Sequence, residues 1–181
     1  MGSNVQLDSM VDTQTDPAAK CAAFKGEDGD TNVVQGTPNC TGALGDLTPG
    51  STPPNLPGDP SWMFAFPLVF SYHHRYYADA NMVARWWPRI VAYTDFLIRA
   101  ASSSSSKLIT WFKYGDWLEP GKVPSNAIIG AMSSSFNYVM ALKIAAQTAC
   151  ALADAARCTA YQQTFQQART NFHTRWSFFF F

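Results

Sequence analysis

Apolar positions along this chain fall into two regimes, and the change comes at Ser61. Downstream of it, hydrophobic residues recur every three or four positions, the spacing of one helix face. Trp62, Phe66, Val69 and Tyr72, flanked by Leu68 and Phe70, predict a helix reaching about Tyr77. Asp79 is placed to cap the next helix, where a carboxylate can accept the first free backbone N–H groups. Met82, Trp86, Ile90, Tyr93 and Leu97 then form a second stripe. Pro88 is expected to split it into a short piece and a longer one, because proline lacks the N–H a helix interior needs. Ser102 to Ser106 reads as a surface loop, and Leu108 to Phe112 as a short apolar run. After Pro124, a long helix capped by Ser125 or Asn126 carries Ile128, Met132, Ser135, Val139, Leu142 and Ala146 on one face. Ala141, Ala145, Ala146 and Ala149 would let a neighbouring helix come close to its end. A turn at Leu152 to Asp154, with Asp154 as cap, leads to a last stripe of Tyr161, Phe165, Ala168, Phe172 and Trp176. No strand alternation of useful length occurs. The pattern predicts an all-α fold of antiparallel helical hairpins curving into a larger helical toroid.

Upstream of Ser61 the picture is different. Seven glycines between Gly26 and Gly58 and six prolines between Pro38 and Pro60 leave no sustained period. Residues 1–57 are therefore read as an irregular, loop-rich segment. So long a structureless stretch beside a compact domain points to function, or to dependence on something missing.

Composition narrows the classes. With 181 residues, 47% of them apolar and 14% aromatic, the chain can bury a sizeable core. Thirteen basic and thirteen acidic residues cancel, which excludes the electrostatic footprint of a nucleic-acid or anionic-membrane partner. The N-terminus is polar and shows no secretory signal. The longest apolar run, Trp62 to Phe70, contains Pro67 and is too short to span a bilayer. Location in the cell is otherwise undetermined. Cys21, Cys40, Cys150 and Cys158 fit no zinc spacing, and without an export signal they are expected to be reduced thiols. For the same reason Asn39-Cys40-Thr41, which has the form of a glycosylation sequon, is read as a chance match.

Few constellations can carry chemistry. His73 and His74 are adjacent, so they point to different sides of a helix, and His173 is remote; no metal or cofactor is expected. Ser133-Ser134-Ser135 sits inside a helix without the glycines of a nucleophile elbow. Gly26 and Gly29 lack both the preceding strand and the following Lys-Ser/Thr of a phosphate loop. Two aromatic and acidic stretches survive. Asp59-Pro60-Ser61-Trp62 places an indole where the first helix begins, and Trp111 to Pro120, WFKYGDWLEP, places Asp116 and Trp117 in a turn between hairpins. Both stretches should lie at the same end of the hairpin array. Aromatic faces beside carboxylates suit sugars, whose C–H groups pack on the ring while their hydroxyls bond to the acid.

The order GDPSW (Gly58 to Trp62), YYADANMVARWWPRIVAYTDFL (Tyr76 to Leu97) and YGDWLEP (Tyr114 to Pro120), followed by a long Ala-rich helix, resembles the catalytic domain of the α-L-rhamnosidases. These are six-hairpin glycosidases built as an (α/α)6 barrel. The resemblance runs from Gly58 to Trp176, with a weaker echo in Gly26 to Val34. It implies three parts: the loop-rich segment 1–57, a partial six-hairpin domain over 58–176, and an aberrant Phe-rich end over 177–181. It further implies that Trp62 and Trp117 line the pocket for a terminal rhamnose, with Asp116 shaping the rim, so that a rhamnose-containing glycoside would be the partner. Family enzymes invert the anomeric centre with an acid and a base held roughly 6.5–9.5 Å apart, leaving room for a water. The family's general acid is a Glu in an arginine-containing motif upstream of the first matching helix, and its general base is a Glu downstream of the last. Neither has a counterpart here, where Glu27 and Glu119 are the only glutamates and Phe64 stands at a usually acidic position. The expectation is a fragment of an inverting rhamnosidase-like hydrolase, inactive alone. A non-catalytic carbohydrate-binding or interaction module, and another six-hairpin glycosidase, are the alternatives.

Overall fold

The structure, a computed structural model, describes residues 40–46, 57–114 and 127–177. Among the described residues it is all-helical, with no strand: α1 (Pro60–Met63), α2 (Ala65–Tyr77), α3 (Ala80–Ser102), α4 (Ala127–Ala151) and α5 (Ala155–Trp176). Helix α4 is central and packs against the other four. Its composition explains why. Ala131, Tyr138, Leu142, Ala145 and Ala149 are buried along one face. Ser135, Val139 and Ala146 on one side of it and Ala141, Ile144 and Thr148 on the other are buried too, so more than half of the helix circumference is covered. Phe136, Ala146 and Cys150 lie on the side of α4 that meets α5.

The stripes of α3 and α5 are largely as expected. Met82, Trp86, Ile90, Tyr93 and Leu97 are buried together in the core, as are Tyr161 and Ala168, with Phe165 and Phe172 packed on it; Trp176 is buried outside that cluster. Asp79 caps α3 by accepting from the backbone N–H groups of Asn81 and Met82, each at 3.0 Å. Asp154 caps α5 through the Arg157 N–H. Arg157 also donates to its carboxylate and holds its pKa below the usual range, mainly through that side-chain hydrogen bond.

Three expectations are corrected. Pro88 does not split α3, which runs unbroken from Ala80 to Ser102. Pro88 and Ala84 both lie on the exposed side, so the carbonyl that loses its donor faces water, while buried Trp86 and Ile90 anchor both flanks. On the first helical stretch the buried face is Met63, Phe66, Pro67 and Phe70, one step round from the predicted stripe. A break at Phe64 shifts the phase, and Tyr72 joins Tyr76 and Tyr77 on the exposed side. Among the described residues the cysteines are not thiols. Cys150 and Cys158 form a disulfide across the α4–α5 turn, where the chain reversal brings their Cα atoms to 4.7 Å, within bridging range. Cys40 is disulfide-bonded as well.

Residues 40–46 and 108–112 pass through the body in irregular conformation. Cys40, Ala43 and Leu44 are buried, and Arg99 of α3 donates to the Thr41 carbonyl. Gly42 has φ +93° and its missing Cβ would lie 2.0 Å from the Ala92 carbonyl oxygen, so only glycine fits against α3. Leu108, Ile109 and Trp111 are fully buried beside α4. Ser135 donates to the Ile109 carbonyl, and Gly130 leaves the space that the Phe112 ring fills.

Candidate functional site

The two stretches singled out in the sequence meet at one corner of the molecule. Asp59 is the N-cap of α1, with Pro60 at the first helical position, a pairing that sets the helix start because proline gives up an N–H that would be orphaned anyway. The Asp59 carboxylate is 1% exposed. One oxygen accepts the Ser61 N–H at 2.8 Å. The other accepts two successive backbone N–H groups from 54 and 55 residues downstream, Lys113 at 2.7 Å and Tyr114 at 3.1 Å. A buried carboxylate is tolerated because these donors replace its water.

Asp46 completes the arrangement. It accepts the Asp59 backbone N–H on one oxygen. On the other it takes the Lys113 ammonium at 2.8 Å and the Tyr114 hydroxyl at 3.3 Å. Lys113 is thereby held at both ends, its backbone by Asp59 and its Nζ by Asp46. Tyr114 is held protonated beyond its ordinary range, first by burial and then by the Asp46 charge. The charge of Asp59 acts in the same direction on the buried Tyr93, after the larger effect of burial.

Above this polar floor stand two half-exposed rings. Trp62 (37% exposed) and Tyr114 (38% exposed) pack with centroids 5.0 Å apart and planes tilted by 45°. Ser61 joins the corner to α4 through a 2.9 Å hydrogen bond with Ser133. A cleft of about 460 Å³ beside the corner is lined by Asp46, Ser61, Trp62, Met63 and Leu68, a size that suits a small ligand. A larger concavity of about 920 Å³ runs between α4 and α5 past Gln147, Gln162 and Gln166. It is lined by amides without a carboxylate, so the chemistry favours the smaller cleft.

Of the sequence-predicted site residues, Trp62 stands at this corner. Asp116 and Trp117, with Glu119, lie outside the described residues, as do the expected caps Ser125 and Asn126 and the Phe178 to Phe181 end. Sequence reasoning passed over Asp46, Asp59 and Tyr114. The Asp-Pro pair was a legible capping signal for Asp59, but nothing local announced its grip on Lys113 and Tyr114. Asp46 sits in a Gly/Pro-rich run with no period and gave no signal at all. Among the described residues no group of three His, Cys, Asp or Glu could hold a metal ion. None of the described helices is long and apolar enough to cross a membrane.

Residues 24–178 match the family described as the bacterial alpha-L-rhamnosidase 6 hairpin glycosidase domain. Among solved structures, an α-L-rhamnosidase from Dictyoglumus thermophilum is similar at 22% identity with a TM-score of 0.73, over 94% of this chain. The alignment covers 16% of that longer chain, so the present chain spans about a sixth of its length. At this identity the likeness establishes the fold. No curated protein matches the chain.

Proposed function

The chain belongs to the bacterial α-L-rhamnosidase six-hairpin glycosidase family, and from that premise we propose that it forms one wall of the pocket for a terminal L-rhamnose. The observation that carries this reading is the Trp62–Tyr114 corner standing over the Asp46–Lys113 pair. Rhamnose carries a methyl group where most hexoses carry a hydroxymethyl, so one side of the sugar is apolar and packs on rings. Its hydroxyls find partners in Asp46 and Ser61, which line the cleft, with the Lys113 ammonium paired to Asp46. Asp116 and Trp117, two and three residues past Tyr114 in sequence, are proposed as further sugar-binding groups. The partner is then a rhamnose-containing glycoside, and the complete protein removes terminal rhamnose with inversion.

The chain alone is proposed to be inactive. Inversion needs a protonated acid and a separate carboxylate with room for water between them. Neither carboxylate of the corner is available for that work. Asp59 is buried and holds three backbone N–H groups, and Asp46 holds Lys113, Tyr114 and the Asp59 N–H. The two glutamates of the sequence, Glu27 and Glu119, stand outside any matching catalytic motif.

Two measurements test this. Purified chain is expected to release no nitrophenol from nitrophenyl α-L-rhamnoside, and release in excess of a buffer blank would overturn the inactivity. L-Rhamnose is expected to quench tryptophan fluorescence saturably, with Trp62→Ala and Trp117→Ala each weakening binding about tenfold. No quenching in the parent chain would remove the pocket wall.

A further inference from the structure

We infer that Asp59 is the positioning residue of this pocket wall, setting the Trp62–Tyr114 corner from behind without touching the sugar. The inference rests on the rhamnose-pocket reading and deepens it. Asp59 sits between the two rings in the wiring of the molecule. Its Oδ1 fixes the turn that presents Trp62 three residues on, through the Ser61 N–H. Its Oδ2 fixes the backbone that presents Tyr114, through that residue's own N–H and the one before it. A single carboxylate therefore sets the relative position of two rings that belong to stretches more than fifty residues apart in sequence.

Three features mark this as more than a helix cap. A cap needs one acceptor, and a serine or asparagine supplies it as well as aspartate does. Here the second oxygen serves no helix; it gathers two consecutive N–H groups of an irregular segment. The geometry also requires an acceptor at both oxygens. The three N–H donors converge on two oxygens, and an amide in the same place would turn its NH2 toward donors on one side or the other. Finally, Asp46 buttresses the arrangement from the outside. It binds the Asp59 N–H and the Lys113 ammonium, so the backbone and side chain of Lys113 are clamped to adjacent carboxylates. Lys113 and Tyr114 are thus each fixed at both backbone and side chain.

The test separates cap from positioner. Asp59→Ser keeps an oxygen for the Ser61 N–H and cannot also reach Lys113 and Tyr114. In the full chain it is expected to leave the helical circular dichroism signal unchanged. Amide hydrogen exchange at Lys113 and Tyr114 should accelerate at least about tenfold while amides inside α3 and α4 keep their rates. The dissociation constant for L-rhamnose, followed by tryptophan fluorescence, should rise about fivefold or more. Asp59→Asn, of the same shape, carries the same expectations if the serine variant fails to fold. Unchanged exchange at the two amides overturns the inference. So does accelerated exchange with unchanged rhamnose affinity, or loss of the helical signal in both variants, since each makes Asp59 a purely structural group. Absence of binding by the parent chain is a separate result: it removes the pocket reading first, and the positioning role with it.

Discussion

The corner around Asp59 and the α4–α5 hairpin are built on opposite principles. The hairpin is held by packing: Ala141, Leu142, Ala145, Ala146 and Ala149 of α4 are buried, and Phe136 of α4 packs on Phe172 of α5. Its polar contacts are peripheral, and a disulfide closes its turn. The corner is held by direction. Its geometry comes from two carboxylates, each of which accepts three hydrogen bonds. Apolar packing is tolerant, since a different residue of similar volume settles with small adjustments. A hydrogen-bonded bracket is not tolerant, because removing one member leaves a buried polar group without a partner. In this chain Trp62 and Tyr114 stand on the second kind of support.

That contrast can be broken at three strengths. Leu142→Ala, at a fully buried position of the central helix, should cost about 2–5 kcal/mol, read as a lower thermal midpoint. Because α4 touches every other described helix, the loss should be global, with exchange rising everywhere. A loss confined to Lys113 and Tyr114 would mean that the hairpin does not support the rest. Replacing Cys150 and Cys158 together by serine removes a crosslink over eight residues, and chain entropy puts the cost at about 2.5 kcal/mol. The expected effect is a lower midpoint with the corner's exchange pattern and rhamnose affinity unchanged; altered affinity would show that the two regions are coupled. The smallest effect is expected from Tyr161→Phe. Tyr161 donates to Asp95 at 2.8 Å, so α5 loses one hydrogen bond to α3, roughly 1 kcal/mol.

The last variant also has a pH signature. Burial, then the hydrogen bond to Asp95, raises the pKa of Tyr161 above the ordinary tyrosine value, with Arg157 opposing. The folded protein therefore holds this proton more tightly than the unfolded chain does. The contribution is whole below pH about 10, the ordinary tyrosine value, and drains away as pH rises beyond it. Tyr93 and Tyr138 are raised by burial too, so both proteins should lose stability in alkali, Tyr161→Phe less steeply. Equal slopes in alkaline denaturation titrations would place the Tyr161 phenol in solvent.

The hairpin was legible in the sequence and the corner only in outline. Periodicity found the faces of α3 and α5 because burial on a helix repeats every turn, and Asp79 and Asp154 announced themselves as caps. Pro88 misled because its cost depends on which side of the helix faces water, which the local sequence does not state. The phase of α2 was missed because the break at Phe64 is a tertiary outcome. The two aromatic and acidic stretches do meet, through Trp62 and Tyr114. What joins them was not legible. Asp46 and Asp59 act through backbone N–H groups, which every residue carries, so no side-chain pattern marks their targets. Cys150 and Cys158 likewise needed the turn between α4 and α5 to bring them within bridging distance.

The Asp59 bracket also bears on the order of assembly. Its contacts close loops of 54 residues to Lys113, and the neighbouring contacts close loops of 67 from Asp46 to Lys113 and 72 from Ser61 to Ser133. The α4–α5 hairpin reverses within a few residues, so its seam can form while the rest of the chain is still loose. Long loops lose more chain entropy on closure, and contacts far apart in sequence form slowly. The rings of the corner therefore have no local precursor. They meet only when the chain as a whole is nearly folded, and Trp62 reports, by its surroundings, the last step of that process.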